Sequence, residues 1–297
     1  MALTFPSPTG SSEKRIGLQY WMDRVVELAE VVHNSWGADQ VHDLRVALRR
    51  CRTMADALSD VNPSSGWRRL RKASRGLFDA LGELRDAQVE RAWVKKLGAP
   101  GDPVRKHMLR LLSSKEHKLR KGAEKALDEF DCKNWRKWAR KLQSKAELFA
   151  PESVVFQRQA VASLNEAVEL YGRARRGRSR IAWHRLRIGL KRFRYVVENF
   201  LPQRYEAWAE DLKRLQDLLG DVHDLDVLRT EIRLHCSELR PGVVAPWFER
   251  IEAERKARLR EFRSKAADKE SLWLVWRTGF QWGHELKPVS LSERRTA

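Results

Sequence analysis

Apolar residues recur at helical spacing along most of the chain. From residue 16 they fall three or four positions apart, as in Val25, Leu28 and Val32, and no segment of useful length alternates with the period of a strand. This pattern predicts an all-α fold. The predicted helices cover 16–32, 39–61, 67–97, 154–171, 181–201, 205–239 and 244–264, with Lys- and Arg-rich helical stretches from 104 to 149.

Clusters of Pro, Gly and Asn mark the helix ends. They predict turns at 62–66, 98–103 and 241–242, and Asp39 is the predicted N-cap of the second helix. The segment SLWLVWRTGFQWGHEL from Ser271 is predicted to form a final helix packed on the body, because large aromatic side chains are usually buried.

Two segments of the chain occur twice, in the same order. VHDLRVALRRCRTMADAL from Val41 aligns without a gap with WHRLRIGLKRFRYVVENF from Trp183, and we call these the basic motifs. Downstream, LFDALGELRD from Leu77 aligns with LQDLLGDVHD from Leu215, and we call these the acidic motifs. A repeated order at nearly the same separation predicts a duplicated helical unit with two pseudo-symmetric halves that meet near Pro151.

Each basic motif places its charged residues on one face of a helix. His42, Arg45, Arg49 and Arg52 span an arc of roughly 80°, and the second motif repeats this row. A row of charges is usually a solvated surface, but here no carboxylates are interleaved to offset repulsion between like charges. Arginine also suits bidentate recognition of phosphate oxygens. The rows therefore predict an anion-binding surface.

The acidic motifs carry carboxylates at i, i+4 and i+7, and two interpretations are open. The carboxylates could hold a hard cation with His223 or His42 nearby, or they could orient neighbouring Arg and His side chains by charge-assisted hydrogen bonds. The second interpretation is favoured. Gly82 and Gly220 lie inside these motifs and are predicted to allow close approach of another helix.

The two aligned histidines, His42 and His184, each begin a basic row. An imidazole near anions has its charged form favoured, so both are interpreted as additional cationic or hydrogen-bonding contacts. A catalytic role would need a nucleophile at repeat-equivalent spacing, and none is apparent. The sequence therefore predicts a binding protein without a catalytic site, metal or cofactor.

Charge and cysteine content indicate the partner and the location of the protein. The chain of 297 residues has 59 Lys and Arg against 40 Asp and Glu, a net charge of +19, which is typical of a polyanion partner. Cys51, Cys132 and Cys236 are too far apart for a zinc site or a disulfide framework, so a reducing cytoplasm is expected. No apolar stretch approaches the roughly 18 residues of a membrane span, and no membrane partner is expected.

HDLRVALRRCR and HRLRIGLKRFR, each followed by an LGxxxD segment, resemble the CHAD family, the conserved-histidine α-helical domain. The resemblance covers most of the chain. It implies two pseudo-symmetric four-helix bundles that enclose a basic groove, and it implies binding of inorganic polyphosphate without catalysis. The expected division is a tail at 1–11, a first half at 12–150, a second half at 151–287 and a tail at 288–297.

The resemblance also assigns roles to residues. The polyphosphate-binding residues that it implies are His42, Arg45, Arg49, Arg50, Arg52, His184, Arg187, Lys191, Arg192 and Arg194. The supporting basic residues are Arg71, Lys72, Arg75, Lys213, Arg214 and Arg180, and the orienting carboxylates are Asp79, Asp86, Asp217 and Asp224. Location on cytoplasmic polyphosphate granules is a further expectation.

Three alternatives stay open. A nucleic-acid-binding protein fits the pI of about 10.2, although no helix-turn-helix, zinc-finger or RNA-recognition pattern is present. A metal-dependent phosphoanhydride hydrolase would act through the four carboxylates of the acidic motifs. A scaffold for granule proteins would use the surface around Trp273, Trp276 and Trp282. The oligomeric state is not predicted.

Overall fold

The protein is all-α, as its apolar spacing predicts. A computed structural model describes residues 17–177, 179–267 and 271–280, and within these ranges it contains ten helices and no strand. The helices are α1 Leu18–Asn34, α2 Ala38–Val61, α3 Ser65–Leu97, α4 Pro103–Asp128, α5 Cys132–Ala146, α6 Val154–Arg176, α7 Arg180–Phe200, α8 Pro202–His235, α9 Pro241–Ala267 and α10 Leu272–Thr278.

The helices form two series of similar order on either side of Pro151. The basic motifs lie on α2 and α7, of 24 and 21 residues, and the acidic motifs lie on α3 and α8, of 33 and 34 residues. The next helices, α4 and α9, have 26 and 27 residues. Each series also contains a fifth helix, α5 or α10, in addition to the four helices that the resemblance implies.

Local chemistry explains several helix boundaries. The Asp102 carboxylate accepts hydrogen bonds from the backbone N–H groups of Val104 and Arg105, and Pro103 begins α4 because a proline needs no hydrogen-bond acceptor in a first turn. The predicted N-cap at Asp39 is wrong, since Gly37 occupies that position. Asp39 lies in the first turn of α2 instead, where its charge complements the helix dipole.

One hydrophobic core joins residues from both series of helices. It includes Trp67 of α3, Phe156 of α6 and Phe193 of α7, all of which are fully buried. A second, smaller core lies where the C-terminal part of α3 and the start of α4 meet the corresponding parts of α8 and α9, around Met108 and Trp247. The helices of both series therefore pack together at two separate places.

The aromatic residues near the C-terminus are part of the larger core. Trp273 and Trp276 of α10 are 7% and 0% exposed, and the Trp276 ring lies 5.3 Å from the ring of Phe193. This confirms the predicted packing for these two tryptophans and contradicts their use as an exposed scaffold surface. Trp282 lies outside the described residues. No helix that the structure describes is long and apolar enough to cross a membrane.

The two glycines of the acidic motifs do not act as predicted. A Cβ at Gly82 would lie 3.2 Å from Nη2 of Arg45, so this glycine makes room for a guanidinium group rather than for a helix. A Cβ at Gly220 would meet nothing within 4 Å. Close helix packing occurs instead at Gly189 of α7, where a Cβ would lie 2.7 Å from Leu170 and 3.6 Å from Cα of Ala167.

We expect Gly189→Leu to lower the free energy of unfolding by about 1–3 kcal/mol, because the larger side chain overpacks the contact between α6 and α7. Gly122→Leu is the matched control, since a Cβ at that helical position meets nothing within 4 Å and leucine favours helix over glycine. Urea denaturation of both variants measures the difference. Equal stabilities would contradict the proposed close contact.

Candidate anion-binding site

The two helices that carry the basic motifs, α2 and α7, pack against each other. The guanidinium of Arg49 on α2 lies 5.6 Å from the ring centre of Tyr195 on α7. Nearby, the amide of Asn199 donates a hydrogen bond of 3.2 Å to the Thr53 hydroxyl. The helix contact therefore brings together two rows of charge that are far apart in the sequence.

Four cationic side chains meet at this contact, and we call Arg45, Arg49, Arg187 and Lys191 the central basic cluster. Burial, together with the charges of Arg187, Arg49 and Arg45, lowers the pKa of Lys191 to about 7. Burial likewise lowers the pKa of Arg49, although the Tyr195 side chain opposes that change. Two cations lower each other's pKa only when they lie close together. Positive charge is therefore concentrated in this cluster.

Several donors of this cluster have no acceptor. The Nε atoms of Arg45, Arg49 and Arg187, and the hydroxyl of Tyr195, are buried and have no hydrogen-bond partner in the part of the chain that the structure describes. An unsatisfied buried donor costs free energy, so such groups are uncommon in folded proteins. Their concentration here is the expected property of a site for a ligand rich in oxygen acceptors.

Aromatic rings support the arginines of the first basic motif. The guanidinium groups of Arg45 and Arg52 lie 5.1 Å and 4.9 Å from the ring centre of Phe78 on α3. The guanidinium of Arg50 lies 4.9 Å from a ring centre of Trp21 on α1. Cation–π contacts hold a guanidinium in place without neutralising its charge.

Each of the four predicted orienting carboxylates has a cationic neighbour. Asp79 accepts a hydrogen bond of 3.4 Å from Arg75, and Asp217 accepts one of 3.0 Å from Lys213, both as exposed pairs within one helix. Asp86 attracts Arg45 electrostatically, as Asp224 attracts Arg187. Burial raises the pKa of Asp224 to about 6, so its charge is not complete near neutral pH.

One buried carboxylate, Glu198 of α7, binds two of the predicted ligand residues. It accepts hydrogen bonds from Arg50, from Arg194 at 3.4 Å and from the Tyr205 hydroxyl at 2.6 Å. Burial opposes ionisation of Glu198, but the charges of Arg50 and Arg194 together with the Tyr205 hydrogen bond lower its pKa overall. The structure thus places Arg50 and Arg194 in an ion-pair network that links α2 to α7.

Other predicted site residues also have protein partners. Arg52 donates hydrogen bonds to the Arg71 carbonyl and the Ser74 hydroxyl, at 2.8 Å and 3.1 Å. The remaining pairs are Arg192 with Glu166, Arg71 with Asp56, Arg214 with Glu261, and Arg180 with Asp226 and Glu252. Lys72 is exposed on α3. The central basic cluster is therefore a subset of the predicted residues.

The histidines lie beside the cluster and do not add charge at pH 7. Burial lowers the pKa of His42 to about 4, assisted by Arg85, Arg49 and Arg45. His184 Nδ1 lies 3.3 Å from His223 Nδ1, and burial together with Arg187 lowers the pKa of His223 to about 4. Of the two roles predicted for the histidines, the lowered pKa values favour hydrogen bonding over positive charge.

Sequence reasoning missed Tyr195, Phe78 and Glu198 at this site. A signal existed for two of them, since Tyr195 follows Lys191 by four residues and Glu198 follows Arg194 by four residues on the same helix. Phe78 reaches the arginines from another helix, and no spacing within one motif could indicate that. Among the described residues, no group of three or more His, Cys, Asp or Glu side chains could hold a metal ion.

Comparisons with known proteins agree with this architecture. The sequence profile of the CHAD domain matches residues 19–233, and the chain belongs to the CHAD family. The fold is similar to the crystal structure of the CHAD domain from the plant Ricinus communis, with a TM-score of 0.57 and 19% sequence identity over 97% of this chain and 98% of that chain. No match was found among curated protein sequences.

We expect Glu198→Ala to lower the free energy of unfolding by about 3–5 kcal/mol, because it leaves the largely buried Arg50 and Arg194, 15% and 14% exposed, without their counter-charge. Glu166→Ala is the matched control, since Glu166 pairs with the exposed Arg192 and surface pairs contribute about 0–1 kcal/mol. Urea denaturation compares the two. A similar small loss in both variants would show that Glu198 does not hold the α2–α7 contact.

We expect Lys191→Met to stabilise the protein, most at low pH. Because the pKa of Lys191 falls from 10.5 to about 7 on folding, the unfolded state binds more protons between these values. The penalty for the buried charge is complete below pH 7 and fades towards pH 10.5. Urea denaturation at about pH 6 and about pH 9 should give the larger stability gain at the lower pH. A pH-independent gain would contradict the buried charge.

Proposed function

We propose that this protein binds inorganic polyphosphate at the central basic cluster. The observation that carries the proposal is the meeting of Arg45, Arg49, Arg187 and Lys191 at the α2–α7 contact, with buried donors that lack acceptors. A phosphate chain offers many anionic oxygens at short spacing, which suits bidentate guanidinium groups. The resemblance in sequence to the CHAD family supports the same ligand.

The two basic motifs act as one site in this proposal. Arg45 and Arg49 come from α2, and Arg187 and Lys191 come from α7. Arg187 nevertheless lowers the pKa of Arg45, and Arg49 lowers the pKa values of Arg187 and Lys191. An anion placed between them interacts with both helices at once. The Tyr195 hydroxyl is an additional donor to the ligand, and the neutral His42 and His184 are additional hydrogen-bonding groups at the edge of the site.

Binding without hydrolysis is part of the proposal. The carboxylates of Asp79 and Asp217 are already engaged by Arg75 and Lys213, and the positive potential of the cluster opposes a metal cation beside it. The affinity then comes mainly from release of counterions by the polymer and should fall as salt is added. The association with cytoplasmic polyphosphate granules belongs to the proposal as well.

A titration with long-chain polyphosphate across a salt series tests the ligand and the site together. The variant is Arg45→Ala combined with Arg187→Ala, which removes one cation from each motif. We expect at least about tenfold weaker binding, because two close ionic contacts are lost together. The matched control is Arg120→Ala combined with Arg173→Ala, since both arginines are exposed, lie outside the two basic motifs and pair with a glutamate of their own helix.

Duplex DNA, single-stranded RNA and orthophosphate are the comparison ligands. The proposal requires that polyphosphate binding persists to higher salt than binding of either nucleic acid. It also requires that the double variant loses polyphosphate affinity while the control keeps it. Equal affinity for all polyanions, or equal losses in the variant and the control, would contradict a polyphosphate site at the cluster. Phosphate release from the polymer would contradict binding without hydrolysis.

A further inference from the structure

A second basic surface lies outside the basic motifs, on α5 and the first half of α3. The α5 segment 132–146 contains six Lys and Arg residues and no Asp or Glu. The α3 segment 65–78 contains five Lys and Arg residues and again no Asp or Glu. These two helices contact each other, so their charges belong to one region of the molecule.

The outward face of α5 carries a row of exposed like charges. Its exposed basic residues on this face are Lys133, Lys137, Arg140 and Lys141. They span an arc of roughly 100° on the helix, and several are four residues apart, so they repel one another. The opposite face buries Trp135, whose indole N–H donates a hydrogen bond of 2.9 Å to the Met22 carbonyl. The buried face thus holds α5 in place and directs the cationic row towards solvent.

The first half of α3 connects this row to the basic motif of α2. On one side of α3, the Arg52 guanidinium donates a hydrogen bond of 2.8 Å to the Arg71 carbonyl. On the other side, a Cβ at Gly66 would lie 2.6 Å from Leu142 of α5. The Lys145 ammonium donates a hydrogen bond of 2.8 Å to the Ser64 hydroxyl at the start of α3.

Exposed cations occupy the face of α3 between these two contacts. They are Arg68, Arg69, Lys72 and Arg75. On a helix of about 3.6 residues per turn, this face lies between the side that meets α2 and the side that meets α5. A path of positive charge therefore leads from Arg52, at the end of the α2 row, across α3 to the outward face of α5.

We propose that this α3–α5 basic surface binds the part of a long polyphosphate chain that extends beyond the central basic cluster. The inference rests on the proposed function and adds a preference for long polymers. A short phosphate chain can contact the cluster alone, whereas a long chain also contacts the surface. Each additional contact releases counterions, so affinity and its dependence on salt both increase with chain length.

The test neutralises α5 without removing its helix. The variant combines Lys133→Gln, Lys137→Gln, Arg140→Gln and Lys141→Gln. The control combines Lys106→Gln, Arg110→Gln, Lys118→Gln and Lys121→Gln on α4, all of them exposed, with the same change in charge. The probes are tripolyphosphate, long-chain polyphosphate and duplex DNA, each titrated across a salt series. A smaller variant, Lys137→Gln with Lys141→Gln, provides a second measurement with less change to the surface.

We expect the α5 variant to bind long-chain polyphosphate about tenfold more weakly, with a salt slope reduced by about 3, because four ionic contacts are lost. Its affinity for tripolyphosphate should equal that of the unmodified protein, and the α4 control should bind both phosphate probes nearly as well. Equal losses in the α5 variant and the control, or an equal loss for the two phosphate probes, would overturn the proposal. A loss confined to duplex DNA would overturn it in favour of a nucleic-acid surface.

A different result is expected if the proposed function itself is wrong. If the central basic cluster is not the polyphosphate site, Arg45→Ala with Arg187→Ala leaves tripolyphosphate binding unchanged. In that case, the affinity of the α5 variant for long-chain polyphosphate still tests the α3–α5 basic surface. Loss of tripolyphosphate binding in the cluster variant, together with loss of long-chain binding alone in the α5 variant, supports both proposals.

Discussion

The contact between α2 and α7 determines both the stability of this protein and the chemistry of its site. At one end of the contact, the buried Glu198 accepts hydrogen bonds from Arg50 and Arg194 and so compensates two part-buried cations. Further along, Arg49 and Lys191 are half-buried, and other cations lower the pKa of each. Glu198 thus stabilises one end of the helix pair, while the cations further along repel one another, are only partly offset by Asp86 and Asp224, and are available to bind an anion.

Such a site has a cost for the folded protein. Burial and mutual repulsion lower the pKa of Lys191 to about 7, and several buried arginine nitrogens have no hydrogen-bond partner among the described residues. A protein under selection for stability alone would replace these groups with apolar ones. The cation–π contacts of Arg45 with Phe78 and of Arg49 with Tyr195 orient the guanidinium groups yet preserve their charge. The cluster therefore lowers the stability of the folded protein and provides a concentrated positive potential.

Equivalent residues of the two basic motifs have different roles in the structure. Arg50 and Arg192 align in the sequence, but Arg50 meets the buried Glu198 whereas Arg192 meets the exposed Glu166. Likewise, Arg52 extends across α3, while its counterpart Arg194 binds Glu198. The aligned partners have different neighbours because α2 and α7 each face other helices as well as each other. Duplication of sequence therefore does not impose the same contacts on the two copies.

The sequence by itself determined the all-α fold, most helix boundaries and the face that carries Arg45, Arg49, Arg187 and Lys191, because these depend on spacing within one helix. Only the tertiary structure decided which cations remain without a counter-charge. That outcome depends on side chains from other helices, such as Glu198 for Arg50 and Phe78 for Arg45. The protonation of the histidines was decided in the same way, since burial and neighbouring charges set their pKa values and a linear pattern contains neither quantity.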